Sequence, residues 1–334
     1  MRVDASPETR AGSQAPDRGP VSDRAAALAP GGVGNIGPGL DVLGLAVTGP
    51  GDRVVAERAD QRGVTMADAG NSELPREAVR NAAGIAAIAV LARAGAGDLG
   101  VKLTLEKRLP LSGGQGGSAA SAVAGAVAVN RLLGNPLDAI ALFECALVAE
   151  AQLSGRHGDN LASALFGGII LVRTLEPADI ISLPVPTALR IVLAHPAQQM
   201  NTADARRVLP SFLERNAALA QMANVAAMVA AFGSGDLALL GRALDDQIAE
   251  PARSVLLPGF VEAKAAALRA GALGGSISGA GPTSFYFTDD DATADAIAAA
   301  VRDEYTGRGV ACDTRVERIA TRGALTLPPD ATSA

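Results

Sequence analysis

Leu109-Pro110-Leu111-Ser112-Gly113-Gly114-Gln115-Gly116-Gly117-Ser118-Ala119-Ala120-Ser121 is the most informative segment of the chain. Just before it, Val101, Leu103 and Leu105 alternate with Lys102, Thr104 and Glu106, a period of two that marks a half-buried strand. Just after it, Ser118 to Leu133 carries small and apolar residues on all sides, as a helix buried from several directions would. A glycine-rich bend between a strand and a helix start lets the backbone turn sharply. Several N–H groups then gather at the positive end of the helix, unobstructed by Cβ atoms. A nucleotide phosphate is the natural occupant; for such a loop standing alone, a tight ligand-free connection is the alternative.

Outward from this loop, the pattern predicts a short strand at Arg53 to Arg58, a helix over 77–95, another over 137–151 and an apolar strand at Gly168 to Val172. Ala25 to Ala29 leads into a glycine-rich loop, Gly31 to Gly39, and Ser154 to Asn160 reads as a polar loop. The proline-rich stretch 176–187 reads as a linker between domains. Beyond it come a strand at Leu189 to Leu193, helices near 202–209, 212–232, 236–248 and 259–270, then a strand at Thr283 to Thr288. A helix at 291–304 and a strand at Val310 to Val316 close the chain. Strands interleaved with helices but without strict alternation favour an α+β class in two units. Residues 1–20, poor in large apolar groups, are expected to form a disordered tail.

Length and composition set limits on function. At 334 residues and 49% hydrophobic, the chain can bury a substantial core. A net charge of -6 and a pI near 5.1 give no broad attraction to polyanions, so nucleic acid is not an expected partner. No run approaches the roughly twenty uninterrupted apolar residues of a membrane span, and the start of the chain lacks an apolar signal core, so no membrane partner and a cytoplasmic location are expected. Cys145 and Cys312 have no metal-ligand companion at short spacing and read as free thiols in a reducing compartment.

The Leu109–Ser121 segment resembles the phosphate-binding motif of the GHMP kinases, whose usual form is Pro, two or three small residues, then Gly-Leu-Gly-Ser-Ser-Ala. Gln115 stands in place of the usual Leu, and Gly117 in place of the first of the paired serines. The resemblance implies that Pro110, Leu111, Ser112, Gly113, Gly114, Gln115, Gly116, Gly117, Ser118 and Ala119 wrap the phosphates of ATP. Ser118 would then face the β- and γ-phosphates and their Mg2+.

Further segments carry the same resemblance in family order. Gly34-Asn35-Ile36-Gly37-Pro38-Gly39-Leu40-Asp41 is similar to the N-terminal signature of the homoserine kinase branch, which implies that Asn35 and Asp41 line an acceptor pocket. A carboxylate suits a substrate ammonium; on the residues alone, Asp41 could equally stabilise a Gly-Pro-Gly turn. Ser154-Gly155-Arg156-His157-Gly158-Asp159-Asn160 is similar to the family's His-x-Asp-Asn loop. It implies that His157 meets the acceptor and Asn160 the transferring phosphoryl group. Asp159 would serve as general base, as in the mevalonate branch, or the hydroxyl would attack directly, since phosphoryl transfer depends mainly on positioning and charge. Glu150 resembles the acidic Mg2+ ligand upstream of that loop, a hard-oxygen role, or is an ordinary solvated helix carboxylate.

In the second half, Asn201-Thr202-Ala203-Asp204-Ala205-Arg206 and Glu250-Pro251-Ala252-Arg253 resemble segments that place Thr202, Arg206 and Arg253 at the substrate carboxylate. A planar guanidinium matches that group bidentately. Gly274 to Thr283, matching the third signature, brings Gly279 and Gly281 toward the nucleotide, and Asn81 sits where the family has a nucleotide-contacting asparagine. The implied fold is a two-domain GHMP kinase, with an N-terminal nucleotide-binding α+β domain over 21–185 and a C-terminal ferredoxin-like α+β domain over 186–334. The implied activity is ATP-dependent phosphorylation of L-homoserine, with a homodimer suggested because family members are often dimers. Open beside it stand a GHMP kinase for another small alcohol and, given Gln115 and Gly117, a non-catalytic nucleotide-binding regulator.

Overall fold

The computed structural model describes residues 22–328, so the tail expected over 1–20 lies outside the described residues. The first unit is a sheet of β1 (Arg24–Gly34), β2 (Leu43–Ala59), β3 (Gly63–Asp68), β4 (Gly100–Glu106), β5 (Ile169–Leu175) and β6 (Ala178–Leu183). β2 lies at its centre, pairing antiparallel with β1, β4 and β5; β3 joins β4 in parallel, and β6 extends β5. Helices α1 (Ala82–Arg93), α2 (Gly117–Leu132), α3 (Ala139–Leu153) and α4 (Asp159–Phe166) pack together, with α2 and α4 seated on β1 and β2.

Small residues set that packing. Ala25, Ala27 and Ala29 of β1 and a run of alanines in α2 share one core, so helix and strand approach closely. Where α2 crosses α1, a Cβ on Gly125 would stand 2.7 Å from the Ala83 carbonyl, which only glycine avoids. The buried-all-round helix expected after the phosphate loop is present one residue earlier at its start.

The second unit contains β7 (Arg190–Pro196), α5 (Thr202–Arg207), α6 (Arg215–Ser234), α7 (Leu237–Ala243), α8 (Ala249–Ser254), α9 (Phe260–Arg269), β8 (Gly274–Ile277), β9 (Ser284–Thr288), α10 (Asp291–Gly307) and β10 (Cys312–Glu317). Its antiparallel sheet runs β10-β7-β9-β8, so its four strands, numbered along the chain, lie across the sheet in the order 4-1-3-2. With helices between the first and second strands and between the third and fourth, this is the ferredoxin-like arrangement.

Several expectations are corrected. The proline-rich stretch 176–187 is no free linker: its middle is β6, paired with β5 through Ile180 and Ile181, and the crossing between units is confined to the residues just beyond. The polar loop at 154–160 ends early, because Asp159 and Asn160 open α4, which buries Leu161, Ala162 and Ala164 and stops at Gly167 with φ +75°. The helix expected over 236–248 ends at Ala243; Asp246 instead accepts N–H bonds from Ile248, Ala249 and Glu250 and starts a separate helix, α8. By length and composition α6 could cross a membrane, although Gln221 and Asn224 interrupt its apolar residues. In the fold its Gln221 donates to the Pro38 carbonyl and its Asn224 to that of Asp245, so it is bound into the protein by polar contacts.

β11 (Leu325–Leu327), assigned with the rest of 186–334 to the second unit, pairs with β1 of the first sheet. The segment leading to it lies along the first unit, with Ala320 donating to Ala46 and accepting from Gly168.

Candidate active site

A cleft of about 460 Å³ opens between the two units. Every residue singled out from the sequence lines it except Gln115. At one end lies the Gly113–Ser118 loop. Ser112, Gly114 and Gly116 adopt positive φ (48°, 72° and 68°), and Gly116 caps α2 without any side-chain bond. The first N–H groups of α2, on Gly117, Ser118 and Ala119, are thus left at the cleft wall, where a helix start has no intrahelical acceptor for them.

Beneath the loop sits a charged network that the sequence reading did not find. Lys107 Nζ lies 2.5 Å from Asp52 Oδ2, 2.9 Å from the Gly117 carbonyl and 3.4 Å from Ser121 Oγ. Asp52, fully buried, also accepts the Arg108 and Leu109 N–H groups and the Ser121 hydroxyl. Burial pulls the Lys107 pKa down, and the Asp52 carboxylate offsets that only in part. Lys107 thus lies against a buried carboxylate at the base of the loop, where it lines the cleft.

The opposite end is built from charged side chains. Asp41 and Arg206 form a two-pronged ion pair at 3.0 and 3.2 Å. Arg253, 3% exposed, donates to the Ala205 and Gly279 carbonyls, and burial lowers its pKa, with Asp41 acting against the shift. Asn35, held at φ 69°, accepts the Asp41 N–H, donates its amide to Gly279 and gives its own N–H to Asp159 Oδ2. One carbonyl of the third signature, Gly279, thus ties Asn35 and Arg253 together from opposite units. Thr202 lines the same wall.

Glu150, His157 and Asp159 form the floor. His157 Nε2 is 3.4 Å from Glu150 Oε1, and its Nδ1 is 3.7 Å from Asp159 Oδ1. Burial pulls the His157 pKa down, but the two carboxylates more than offset it and the net shift is upward. Glu150 is pushed up to about 7, mainly by burial. At 5% exposure it is not the solvated carboxylate that was the alternative reading. Glu150 Oε2, His157 Nε2, Asp159 Oδ1, Asn160 Oδ1 and Arg206 Nε are all buried without a hydrogen-bond partner among the described residues. Such groups are costly unless a ligand takes them up.

Asn160 joins the two ends. A Cβ on Gly116 would stand 2.9 Å from its Oδ1, and one on Gly34 would stand 2.5 Å from its Nδ2, so the absence of two Cβ atoms admits this amide between the loops. For a divalent cation the unpartnered Glu150 oxygen and the exposed Ser118 hydroxyl supply hard oxygen donors suited to Mg2+. Asp41, His157 and Asp159 also offer one ligand atom each within 4.8 Å of one another.

The side chains of two residues expected near the nucleotide have protein partners of their own. Gln115 turns its side chain out of the cleft toward Thr283 and Arg315, because the loop reverses at the flanking glycines. Asn81 reaches the cleft wall but commits its carbonyl oxygen to capping α1 and its amide to the Pro75 carbonyl.

Comparison with known proteins follows this geometry. A family profile described as "GHMP kinases N terminal domain" matches residues 79–168, and one described as "GHMP kinases C terminal" matches 228–307. The homoserine kinase of Chlorobium phaeovibrioides is 38% identical over 309 residues, covering 88% of this chain and 97% of the relative. That of Xanthomonas campestris pv. campestris is 41% identical over 295 residues, covering 86% and 88%. The crystal structure of homoserine kinase from Cytophaga hutchinsonii superposes with a TM-score of 0.88 at 38% identity, covering 92% of this chain and 98% of that one. Lactococcus lactis galactokinase, complexed with galactose, is similar in fold alone, with a TM-score of 0.68 at 16% identity over 92% of this chain and 96% of that one.

Proposed function

The chain belongs to the homoserine kinase family of the GHMP kinases, and from that premise we propose that it transfers the γ-phosphoryl group of ATP to the side-chain hydroxyl of L-homoserine. The products are O-phospho-L-homoserine, ADP and the proton lost by the hydroxyl, in a step of threonine biosynthesis carried out in the cytoplasm.

The observation that carries the reading is the pairing, in one cleft, of a backbone-amide cradle with a zwitterion-matched set of side chains. At the acceptor end Asp41 faces Arg206 and the neighbouring Arg253, so an amino acid entering there can give its ammonium to Asp41 and its carboxylate to the guanidinium pair. Because the incoming molecule is neutral overall, the balance of charge in this half-buried pocket is kept. A carboxylate without an ammonium would leave Asp41 facing excess negative charge, which disfavours mevalonate-like acceptors. Thr202 and His157 border the same space.

At the other end the N–H groups of the Gly113–Ser118 loop and the start of α2 cradle the triphosphate, over the positive charge of Lys107. Mg2+, when bound, neutralises phosphate charge, and Ser118 and Glu150 are the residues to hold it. Asn160, between the ends, orients the hydroxyl and the γ-phosphate for in-line attack. Transfer is direct: Asp159 keeps one carboxylate oxygen on the Asn35 N–H and serves to shape the pocket, since little proton transfer is needed while the bond to the leaving phosphate breaks. Gln115 and Gly117 do not argue for a non-catalytic regulator, because Gln115 faces away from the cleft and Gly117 begins α2 with its carbonyl on Lys107.

A coupled assay of ADP formation with ATP and Mg2+, run across homoserine, threonine and mevalonate, tests the reading. Homoserine is expected to be turned over best, and Asp41→Ala to abolish that preference. No turnover of homoserine by the wild-type chain removes the claim.

A further inference from the structure

Gln115 is buried at 3% exposure, yet it lies in a loop whose neighbours line the cleft. Each polar group of its side chain is used. Nε2 donates to Thr283 Oγ1 at 3.2 Å, and Oε1 accepts from Arg315 Nη2 at 2.5 Å. Its own carbonyl takes the Gly32 N–H at 3.1 Å. Thr283 immediately precedes β9 and Arg315 lies in β10, so the side chain crosses from the nucleotide-binding unit into the sheet of the other unit.

The Thr283 hydroxyl has one proton and two lone pairs to place. The proton goes to the Gly113 carbonyl, one lone pair to the Gln115 amide, and the other to His195 Nδ1 at 2.9 Å. That count closes only if His195 carries its hydrogen on Nδ1. A neutral ring fits, since burial holds its pKa below the ordinary value despite the nearby Asp313 carboxylate. One loop residue on, the Ser278 hydroxyl donates to the Gly114 carbonyl at 2.6 Å.

These anchors have a geometric consequence at the cleft. A trans peptide is planar, with its N–H directed opposite to its C=O. Turning the Gly113 carbonyl back toward Thr283 therefore directs the Gly114 N–H the other way, and turning the Gly114 carbonyl toward Ser278 does the same for the Gln115 N–H. Neither N–H has a hydrogen-bond acceptor among the described residues. The relay Arg315 to Gln115 to Thr283 to Gly113 is aligned donor to acceptor throughout, an arrangement in which each bond polarises the next.

We propose that Gln115 is a positioning residue for the nucleotide: through Thr283 and Arg315 it holds the Gly113 peptide with its carbonyl turned from the cleft, aiming loop amides at an ATP phosphate. The residue that departs from the usual family motif thus serves phosphate binding from behind, through contacts made by the second unit. The inference rests on the reading that the Gly113–Ser118 loop binds ATP, and the test separates the two.

The KM for ATP, the KM for homoserine, kcat and the urea unfolding midpoint are measured for the wild-type protein and for Gln115→Met, Thr283→Val, Thr283→Ser, Arg315→Met and the Gln115→Met/Thr283→Val pair. Loss of one relay bond is expected to raise the KM for ATP about tenfold in Gln115→Met and Thr283→Val, with the KM for homoserine within about twofold. Thr283→Ser, which keeps the hydroxyl, restores most of the ATP affinity. The double variant is expected to be scarcely worse than either single one, because the relay is already broken. Should Gln115→Met not fold, Arg315→Met, at a partly exposed position, carries the same test with a smaller shift. A KM for ATP within twofold of wild type in these variants, or both KM values rising together with a lowered unfolding midpoint, overturns the inference and leaves Gln115 as glue between the units. A wild-type protein that does not use ATP defeats the underlying reading instead.

Discussion

At the nucleotide end of the cleft, binding capacity resides in backbone: Gly113 to Ser118 present N–H groups, and their carbonyls are fastened by Thr283, Ser278 and Lys107. At the acceptor end it resides in side chains: Asp41, Arg206, Arg253, Glu150, His157 and Asp159 converge, and several of their buried atoms are left without partners. A phosphate is recognised by nearly any array of amides, so a cradle fixed in advance suffices. An amino acid must be told from similar small alcohols. Polar groups that go unsatisfied with the wrong ligand supply that discrimination, since leaving them unpaired is costly. The fold keeps its least satisfied chemistry at the end where selectivity is required.

The contrast can be broken most severely at Arg206. Its replacement by alanine removes the fork that meets Asp41 and that we propose takes the substrate carboxylate, and kcat/KM for homoserine is expected to fall by about 10²–10³, on the scale of a charge-assisted pair. The KM for ATP should move less than about threefold. Steady-state kinetics with each substrate varied in turn measures both, and equal losses for the two substrates would erase the distinction between the ends. Arg206→Lys is expected to recover little, because a point charge cannot reproduce the fork.

Gly114→Ala tests the other end. A Cβ there would stand 2.5 Å from the Ser278 carbonyl at φ +72°, so the loop must shift to admit it. The KM for ATP is expected to rise about tenfold or more, with the KM for homoserine little changed. Isothermal titration with a non-hydrolysable ATP analogue should report the same loss.

The smallest effect sharpens the comparison through the two histidines. The folded pKa of His157, beside the carboxylates of Glu150 and Asp159, is raised, so its stability contribution is complete below about pH 6.5 and is lost as pH rises through the folded value. The folded pKa of His195, behind the phosphate loop, is lowered, so its contribution is complete above about pH 6.5 and is lost as pH falls. Urea midpoints between pH 5 and 8 should therefore lose part of their alkaline decline in His157→Asn and part of their acid decline in His195→Asn. Each change is expected to be about 1 kcal/mol or less.

The segments around Asp41, His157, Arg206 and Arg253 were read through their resemblance to GHMP kinase motifs, whereas the glycine-rich bends were legible because their chemistry is local. Strands with clear alternation, such as β4, and the buried helix α2 could be read for the same reason. β1 was partly hidden, since it is buried almost along its whole length and its alanines and glycines show no alternation. β11 is three residues whose strand character comes only from pairing with β1. The Lys107–Asp52–Ser121 network escaped because Asp52 and Lys107 are 55 positions apart and neither belongs to a motif. The direction of the Gln115 side chain was not legible, because composition reports that a loop turns, not which way each side chain leaves it.

The return of the chain through 318–327 to lie beside β1 means that the two halves of the molecule are joined by two separate backbone bridges, one entering β7 and one leaving β10. Between these bridges Val33, Leu43 and Leu45 of the first sheet share one buried core with Leu193, Phe285 and Phe287 of the second, so the cleft is backed by packed side chains as well as by both crossings of the chain.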